Sequence, residues 1–372
     1  MPDISYQIDS ERNSTMKRLR INIHNHSYDI LIQRGILQEV PQRIRERYPG
    51  RRIALITDRN VYLLYGESLH RLLKEEGIQV GPILISSGEE AKSLDTLQRI
   101  YHQLVHFGLT REDLILTLGG GVVGDIGGFA AATFLRGIPF IQIPTTLLAQ
   151  IDSSVGGKVA VNLPQGKNLV GCFYHPVEVV IDPQLLESLD GRTFHDGMAE
   201  IIKYGCIADP ELFQGLLTYS REELRDRLVD VIYRCCSIKG LVVEEDETDR
   251  GWRRILNFGH TLGHALESYY QYQRYTHGEA VALGMLYITQ RGEALGWTSK
   301  GTSEGLKSVL SKYKLPTQLP QLDRDKLMEG ILMDKKSRGE FIDIVLLEEI
   351  GRAVIKPIHK REIRSFFGID GS

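Results

Sequence analysis

Cysteine is scarce in this chain. Only Cys172, Cys206, Cys235 and Cys236 occur in 372 residues. They show no CxxC spacing and no secretory context, so they read as buried or free thiols in a reducing cytosol. A surplus of one charge is also missing: 45 Lys and Arg face 48 Asp and Glu, for a net charge of −3. That removes the electrostatic case for nucleic acid as a partner. No apolar run reaches the roughly 20 residues that a membrane helix needs, so no membrane partner is expected and the protein reads as cytoplasmic. There is no internal repeat and no low-complexity segment. Residues 1–15 are polar and lack the apolar core of a secretory signal. They are expected to form a disordered tail, with Met16 the expected true start.

What remains is an ordinary globular composition, 42% hydrophobic and 25% charged. The length exceeds that of a usual single domain, so two domains are expected. From residue 16 to 192, apolar runs alternate with helical patterns. Leu19–Ile23, Tyr28–Ile32, Arg51–Asp58, Ile78–Ile85, Asp113–Leu118, Pro139–Pro144 and Val179–Asp182 read as strands. Val61–Glu75 and the stretch after Ser93 read as helices. This order predicts an α/β domain with a mostly parallel sheet. From 193 to 372 the pattern is mostly helical. Segments Phe194–Cys206, Glu211–Thr218, Glu222–Val243, Ile255–Tyr270 and Glu279–Leu295 carry helical periodicity. A small hairpin is expected around Gly351, and a last helix at Lys360–Phe367.

Two stretches of the first domain suggest phosphate chemistry. Gly119-x-Gly121-x-x-Gly124 sits between a strand and an apolar helix start. Glycines there let backbone approach a pyrophosphate, and the helix N-terminus supplies N–H groups. The same spelling also suits any tight strand–helix turn, and it falls on the fourth or fifth strand, not the first. Asp58, at a strand end, suits a ribose hydroxyl or an ordinary helix cap. The second stretch gathers Lys158, Lys167 and Asn168 in a glycine-rich loop, with Arg136 as a further cation. Lysine is a compact cation suited to phosphate, although a single surface lysine is usually only solvated.

The second domain carries Asn257-Phe-Gly-His260-Thr-Leu-Gly-His264-Ala-Leu-Glu267. Residues four apart share a helix face, so His260 and His264 point the same way. His277 follows 17 residues after His260, and Glu200 lies upstream in Gly197–Gly205. Zinc in a catalytic site takes three protein ligands of nitrogen or oxygen and keeps one position open. Glu200, His260, His264 and His277 are the candidates, and spacing alone favours His260 with His264. The HExxH pattern is absent, because residue 261 is Thr. These features suggest a nucleotide half and a metal half with a cleft between them.

Taken together, the runs Gly119–Asp125, Asp152–Lys158, Gly166–Asn168, Gly197–Gly205 and Asn257–Glu267 resemble those of the 3-dehydroquinate synthases. The resemblance spans about residues 17–367. It implies an NAD-binding N-terminal domain, a mostly helical C-terminal domain, one divalent metal (usually zinc, with cobalt the alternative) and a homodimer. It implies conversion of 3-deoxy-D-arabino-heptulosonate 7-phosphate to 3-dehydroquinate and phosphate, a lyase step of aromatic amino acid biosynthesis. The metal ligands carried over are Glu200, His260 and His277, which moves His264 off the metal to a supporting or substrate-facing place. NAD contacts carried over are Glu89 and Lys92, then Gly121, Val122, Val123, Gly124 and Asp125, then Thr145, Thr146, Lys158 and Lys167.

Related sugar-phosphate cyclases act on sedoheptulose 7-phosphate or glucose 6-phosphate, which lack a carboxylate. The cations matching the family's carboxylate site are Lys239, Arg253 and Lys336, with Arg254 adjacent as an alternative. Lys158, Asn168 and Arg136 are implied for the phosphate. Asp152, Lys203, Asn257 and His264 are implied as the catalytic group that orients hydroxyls or relays protons. The implied reaction oxidises the substrate with NAD, eliminates phosphate, reduces the ketone with the same nucleotide and closes the ring by an internal aldol step. Two other readings compete. A metal-dependent polyol dehydrogenase would accumulate NADH, and a non-catalytic NAD- and metal-binding protein would turn over nothing.

Overall fold

A computed structural model describes residues 16–24, 26–249, 251–332 and 337–368. The expectations for residues 1–15 and for Lys336 lie outside the described residues.

The chain forms two compact units. The first contains residues 16–190 together with Leu228–Thr248. Its centre is a seven-stranded sheet of β1 (Lys17–Ile23), β2 (His26–Ile32), β3 (Ile53–Asp58), β4 (Val80–Ile85), β5 (Leu114–Gly119), β6 (Phe140–Pro144) and β9 (Glu178–Ile181), in the order β1-β2-β9-β6-β5-β3-β4. The intervening β7 (Lys158–Leu163) and β8 (Gly166–Phe173) pair separately as an antiparallel hairpin. Within the sheet only β1–β2 is antiparallel; the other pairs are parallel, as the alternation of strands and helices predicts.

Strand residues alternate faces, so a sheet covered on both sides needs apolar residues at every position. Strand β3 shows this. Ile53 and Leu55 enter one buried cluster with Leu114, Leu116 and Ile141. Ala54 and Ile56 enter the opposite cluster with Ile115, Ile126 and Phe140. The helix Leu94–His106 begins where the sequence places it, with the Ser93 hydroxyl accepting the Thr96 N–H. The helix Leu228–Glu245 packs within this sheet unit, against β1, where Gly240 meets Ile21. The unit is therefore built from two stretches of chain, whereas the sequence reading ran the second domain unbroken from residue 193.

The second unit contains Gly191–Arg227 and the described residues from Asp249 onward. It holds helices Gly191–Ala208, Pro210–Thr218, Arg221–Asp226, His260–Tyr269, His277–Ala294, Thr302–Lys312 and Arg324–Leu332. The expected hairpin is present as Phe341–Glu349 with Arg352–His359, joined by a third short strand at Ser337–Arg338. The expected helix at Ile255–Tyr270 is broken. Trp252–Asn257 is a 3-10 turn, and Gly259, at φ +78°, restarts the chain as a helix at His260. A positive φ is cheap only for glycine. Among the described residues, no helix is long and apolar enough to cross a membrane. No disulfide joins the four cysteines, and all but Cys172 are buried.

Candidate metal centre and nucleotide loop

Glu200 lies on the buried face of the helix Gly191–Ala208 and is fully shielded from solvent. His260 and His277 each open their own helix. His260 Nδ1 lies 3.0 Å from the Phe258 carbonyl, and His277 Nδ1 lies 3.3 Å from Glu267 Oε2. Both partners can only accept, so each Nδ1 presents its N–H to them, and Nε2 is the nitrogen each ring would offer to a metal. Those two Nε2 atoms stand 3.5 and 3.7 Å from Glu200 Oε1. That is long for hydrogen bonds. It is close to the roughly 3.4 Å edge of a tetrahedron of ligands about 2.1 Å from zinc. The donor set, its spacing and its tied-back imidazoles therefore fit a divalent metal.

His264 belongs to a second possible set with Glu267 and His277. Its ring is centred 5.3 Å from that of His260. Spacing alone pairs these two histidines, but His277 turns its Nε2 toward Glu200 and its Nδ1 toward Glu267. In the Glu200–His260–His277 set both imidazoles already turn Nε2 toward the carboxylate. Burial works against a protonated His277, yet Glu200 and Glu267 outweigh it and raise the imidazole to about 10. Positive charge is strongly favoured at this point. Lys203, one helical turn beyond Glu200, ion-pairs with its Oε2.

Sequence reasoning gave Glu267 no role. Its signal was available: it lies seven residues after His260, on the same helix face.

The glycine loop separates into two jobs. Gly124 packs onto Gln142, and a Cβ there would run into the Gln142 amide. A Cβ on Gly128 would stand 2.5 Å from Val159. These glycines bring the helix Gly121–Thr133 down onto its neighbours. Gly120 and Gly121 instead form the helix start, where no side chain caps the first N–H groups. Cβ atoms there would approach Thr146 to 3.0 Å and Ser153 to 3.1 Å. The uncapped start and this shallow cradle suit an anion such as a pyrophosphate. Val122 and Val123 lie in the first turn, and Thr145 N–H donates to the Gly119 carbonyl at 3.0 Å.

Beside the loop, buried Lys92 donates to Asp125 and to Asn168 Oδ1. Burial pushes the Asp125 carboxyl up, and the Lys92 ammonium opposes it. Asn162, which sequence reasoning missed, joins the group: its amide donates to Glu89 Oε1 at 2.7 Å and its oxygen accepts the Asn168 N–H at 2.8 Å. Glu89, Lys92, Asp125 and Asn168 are thus brought together. The expected basic loop is in fact the β7–β8 hairpin, with exposed Lys158 at its first position and Lys167 on the return strand. Asp58 uses Oδ1 as a helix cap for the Asn60 and Val61 N–H groups and accepts the Ser87 hydroxyl there as well.

Lys239 donates to the Asp152 carbonyl at 2.6 Å and ion-pairs with its carboxylate. Arg253 is buried, at 2% exposure. Its neighbour Arg254 is held by Asp343 and donates to the Gly251 carbonyl at 2.9 Å. Arg136 is exposed, and both it and Leu135 have left-handed backbone, at φ +67° and +51°. Asn257 closes the 3-10 turn three residues before His260.

Comparison with known proteins identifies the family. Residues 82–196 match the 3-dehydroquinate synthase N-terminal family, and residues 197–337 the 3-dehydroquinate synthase C-terminal family. A 3-dehydroquinate synthase of Clostridium acetobutylicum is 52% identical over 355 residues, covering 95% of this chain and all of that one. A solved 2-deoxy-scyllo-inosose synthase, complexed with carbaglucose-6-phosphate, NAD+ and Co2+, has a TM-score of 0.83 at 26% identity, covering 94% of this chain and 99% of that one. A 2-epi-5-epi-valiolone synthase of Streptomyces hygroscopicus with NAD+ and Zn2+ bound also has a TM-score of 0.83, at 28% identity over 93% of this chain and 97% of that one. With both family halves matched in order and half the residues shared with a full-length relative, the chain belongs to the 3-dehydroquinate synthase family.

Proposed function

We propose that the chain converts 3-deoxy-D-arabino-heptulosonate 7-phosphate to 3-dehydroquinate and phosphate, using NAD and one divalent metal, zinc or cobalt. The observation that carries this reading is the convergence of Glu200, His260 and His277, with both imidazole Nδ1 atoms already bonded away from the centre. When bound, the metal supplies Lewis acidity toward a substrate hydroxyl and NAD supplies a hydride acceptor that is regenerated within the cycle.

In the helical unit, Glu200, His260 and His277 hold the metal. Lys203 and His264, beside them, orient substrate hydroxyls or pass protons. Asn257 supports this group from the turn before His260. Arg253 receives the substrate carboxylate, a bidentate pairing that guanidinium favours. Arg254 is already committed to Asp343 and is not assigned this role. In the sheet unit, the Gly120–Gly121 helix start takes the pyrophosphate of NAD, with Glu89, Lys92, Asp125, Thr145, Thr146 and Lys167 around it. Asp58 offers a carboxylate to the ribose. Lys158, Asn168 and Arg136 bind phosphate, and Lys239 with Asp152 forms a charged pair that meets the substrate. Lys336 completes the carboxylate cations. The protein works as a cytoplasmic homodimer.

The test is phosphate release from the heptulosonate phosphate, run beside sedoheptulose 7-phosphate, with and without a chelator. Release from the first substrate alone, without net NADH and stopped by the chelator, is expected. Accumulating NADH, or equal turnover of the substrate lacking a carboxylate, refutes the reading. Glu200→Ala should lose both zinc and turnover; zinc retained at one per chain refutes the ligand set.

A further inference from the structure

One face of the helix Gly191–Ala208 carries Arg192, Asp196 and Glu200, spaced four residues apart. Such a series lies in a row along a helix. Each member reaches the start of the helix His277–Ala294. Glu200 Oε1 faces His277 Nε2 at 3.7 Å. Asp196 Oδ1 accepts the Gly278 N–H at 2.5 Å. Arg192 grips Glu279 with both arms, Nε to Oε1 at 2.9 Å and Nη2 to Oε2 at 2.7 Å. Glu279 in turn forms a capping box with Thr276. Residues 276–279 are therefore fastened from one neighbouring helix, and the fastenings bracket His277.

The backbones also meet directly. A Cβ on Gly278 would lie 2.8 Å from the Asp196 carbonyl carbon and closer still to its oxygen. Real Cβ atoms almost never come within 3.0 Å. Glycine at 278 is what lets Asp196 come close enough to accept this N–H.

We infer that Asp196 is a positioning residue for the metal: its hydrogen bond to the Gly278 N–H sets the distance between His277 and Glu200. The inference rests on the ligand set proposed above. Asp196 touches no ligand atom of that set in any described contact; it acts through the backbone of the residue after His277. A first N–H of the helix is an orphan donor that needs an acceptor. Here the acceptor comes from the helix that carries another ligand, so satisfying the cap also fixes the site.

The experiment measures zinc affinity by competition with a chromophoric chelator, alongside thermal melting of the metal-free protein. Asp196→Ala should weaken zinc binding by about 10- to 100-fold, the range for removing a group that orients a ligand. Asp196→Asn keeps an acceptor oxygen and should bind zinc within a few-fold of the parent. Asp196→Glu moves the acceptor by one methylene and should fall between the two. It supplies the measurement if Asp196→Ala does not fold. A merely structural role predicts lower melting temperatures with unchanged zinc affinity, and that result overturns the inference. So does an Asn variant as weak as the Ala variant, which would make charge and not the hydrogen bond the cause. Glu200→Ala serves as the reference. If it too keeps zinc, the ligand set has failed; if it alone loses zinc, only the role of Asp196 has failed.

Discussion

Replacing Gly284 with Ala should weaken metal binding although residue 284 carries no ligand. Gly284 lies two turns into the helix His277–Ala294, where that helix crosses the start of the helix His260–Tyr269. A Cβ there would stand 2.9 Å from the Gly259 carbonyl carbon, closer to its oxygen, and 3.1 Å from the Gly263 nitrogen. Ordinary contact begins at 3.4 Å, and every atom in the way is backbone. Clearing the Gly259 oxygen requires a local separation of about 1 Å or more, against a tolerance of about 0.2 Å for metal–ligand distances. Overpacking of this kind costs about 1–3 kcal/mol. The metal-free protein sheds that strain by letting the helices part, and zinc must bring them back. The dissociation constant should rise by the corresponding factor, about 5- to 150-fold.

Stability is a poor reading of this effect, because alanine is the better helix former by about 1 kcal/mol. Zinc competition on the folded protein is the assay. Gly292→Ala on the same helix is the control. Its Cβ would press on the Thr298 side chain, with Thr298 Cβ at 3.1 Å, far along the helix from His277. It should leave zinc affinity unchanged. Parent-like zinc binding by Gly284→Ala, or an equal loss in the Gly292 control, refutes the idea that this crossing sets the ligand geometry.

Two other outcomes follow from single groups. Arg253→Ala should raise KM for the heptulosonate phosphate, because a buried carboxylate loses its partner; steady-state kinetics with an unchanged KM would remove Arg253 from that role. Burial raises the Asp29 carboxyl, but hydrogen bonds and charge from Arg18 and Arg20 outweigh it and hold it below its ordinary value. Its contribution to stability is present above the unfolded-state value of about 3.9 and is lost as pH falls through the lower folded-state value. Asp29→Asn should therefore lower the urea midpoint at neutral pH, with the gap from the parent closing in acid; a gap independent of pH would contradict this.

The sheet was legible because burial on both faces writes itself as unbroken apolar runs. Arg51–Asp58 and Asp113–Leu118 contain β3 and β5 nearly to the residue. The helix after Ser93 was legible from its cap. Where the reading slipped, the deciding contact was distant in sequence or lay in the backbone. Apolar periodicity continues across Asn257–His260, and the break there is made in the backbone, at Phe258 and the left-handed Gly259. The β7–β8 hairpin reads as a loop because β8 has no buried residue. The helices Thr302–Lys312 and Arg324–Leu332 were not anticipated.

The candidate site divides the same way. Ligand types were visible as three histidines and a glutamate. Proposing His277 over His264 rests on the family resemblance, and the contact that supports it, Glu267 to His277 Nδ1, joins two helices. Asp196 and Asn162 act on partners that no local pattern points to.

Glu267 adds to the negative charge that a cation at this point would meet. It is buried at 6% exposure, and Glu200 is buried completely. Two carboxylates shielded from water are costly unless each meets positive charge. Lys203 answers Glu200 from within the same helix, at Oε2. Oε1 faces the two imidazoles, and Glu267 stands behind one of them. With no metal, the balance is struck by holding a proton on His277, which is why that imidazole rises to about 10 against the pull of burial. A divalent ion held by Glu200, His260 and His277 would supply the charge instead and would leave His277 neutral, with Nδ1–H still given to Glu267. On the proposed ligand set, one glutamate would orient the ring for coordination and add negative charge behind it, and both effects would strengthen the hold on a metal.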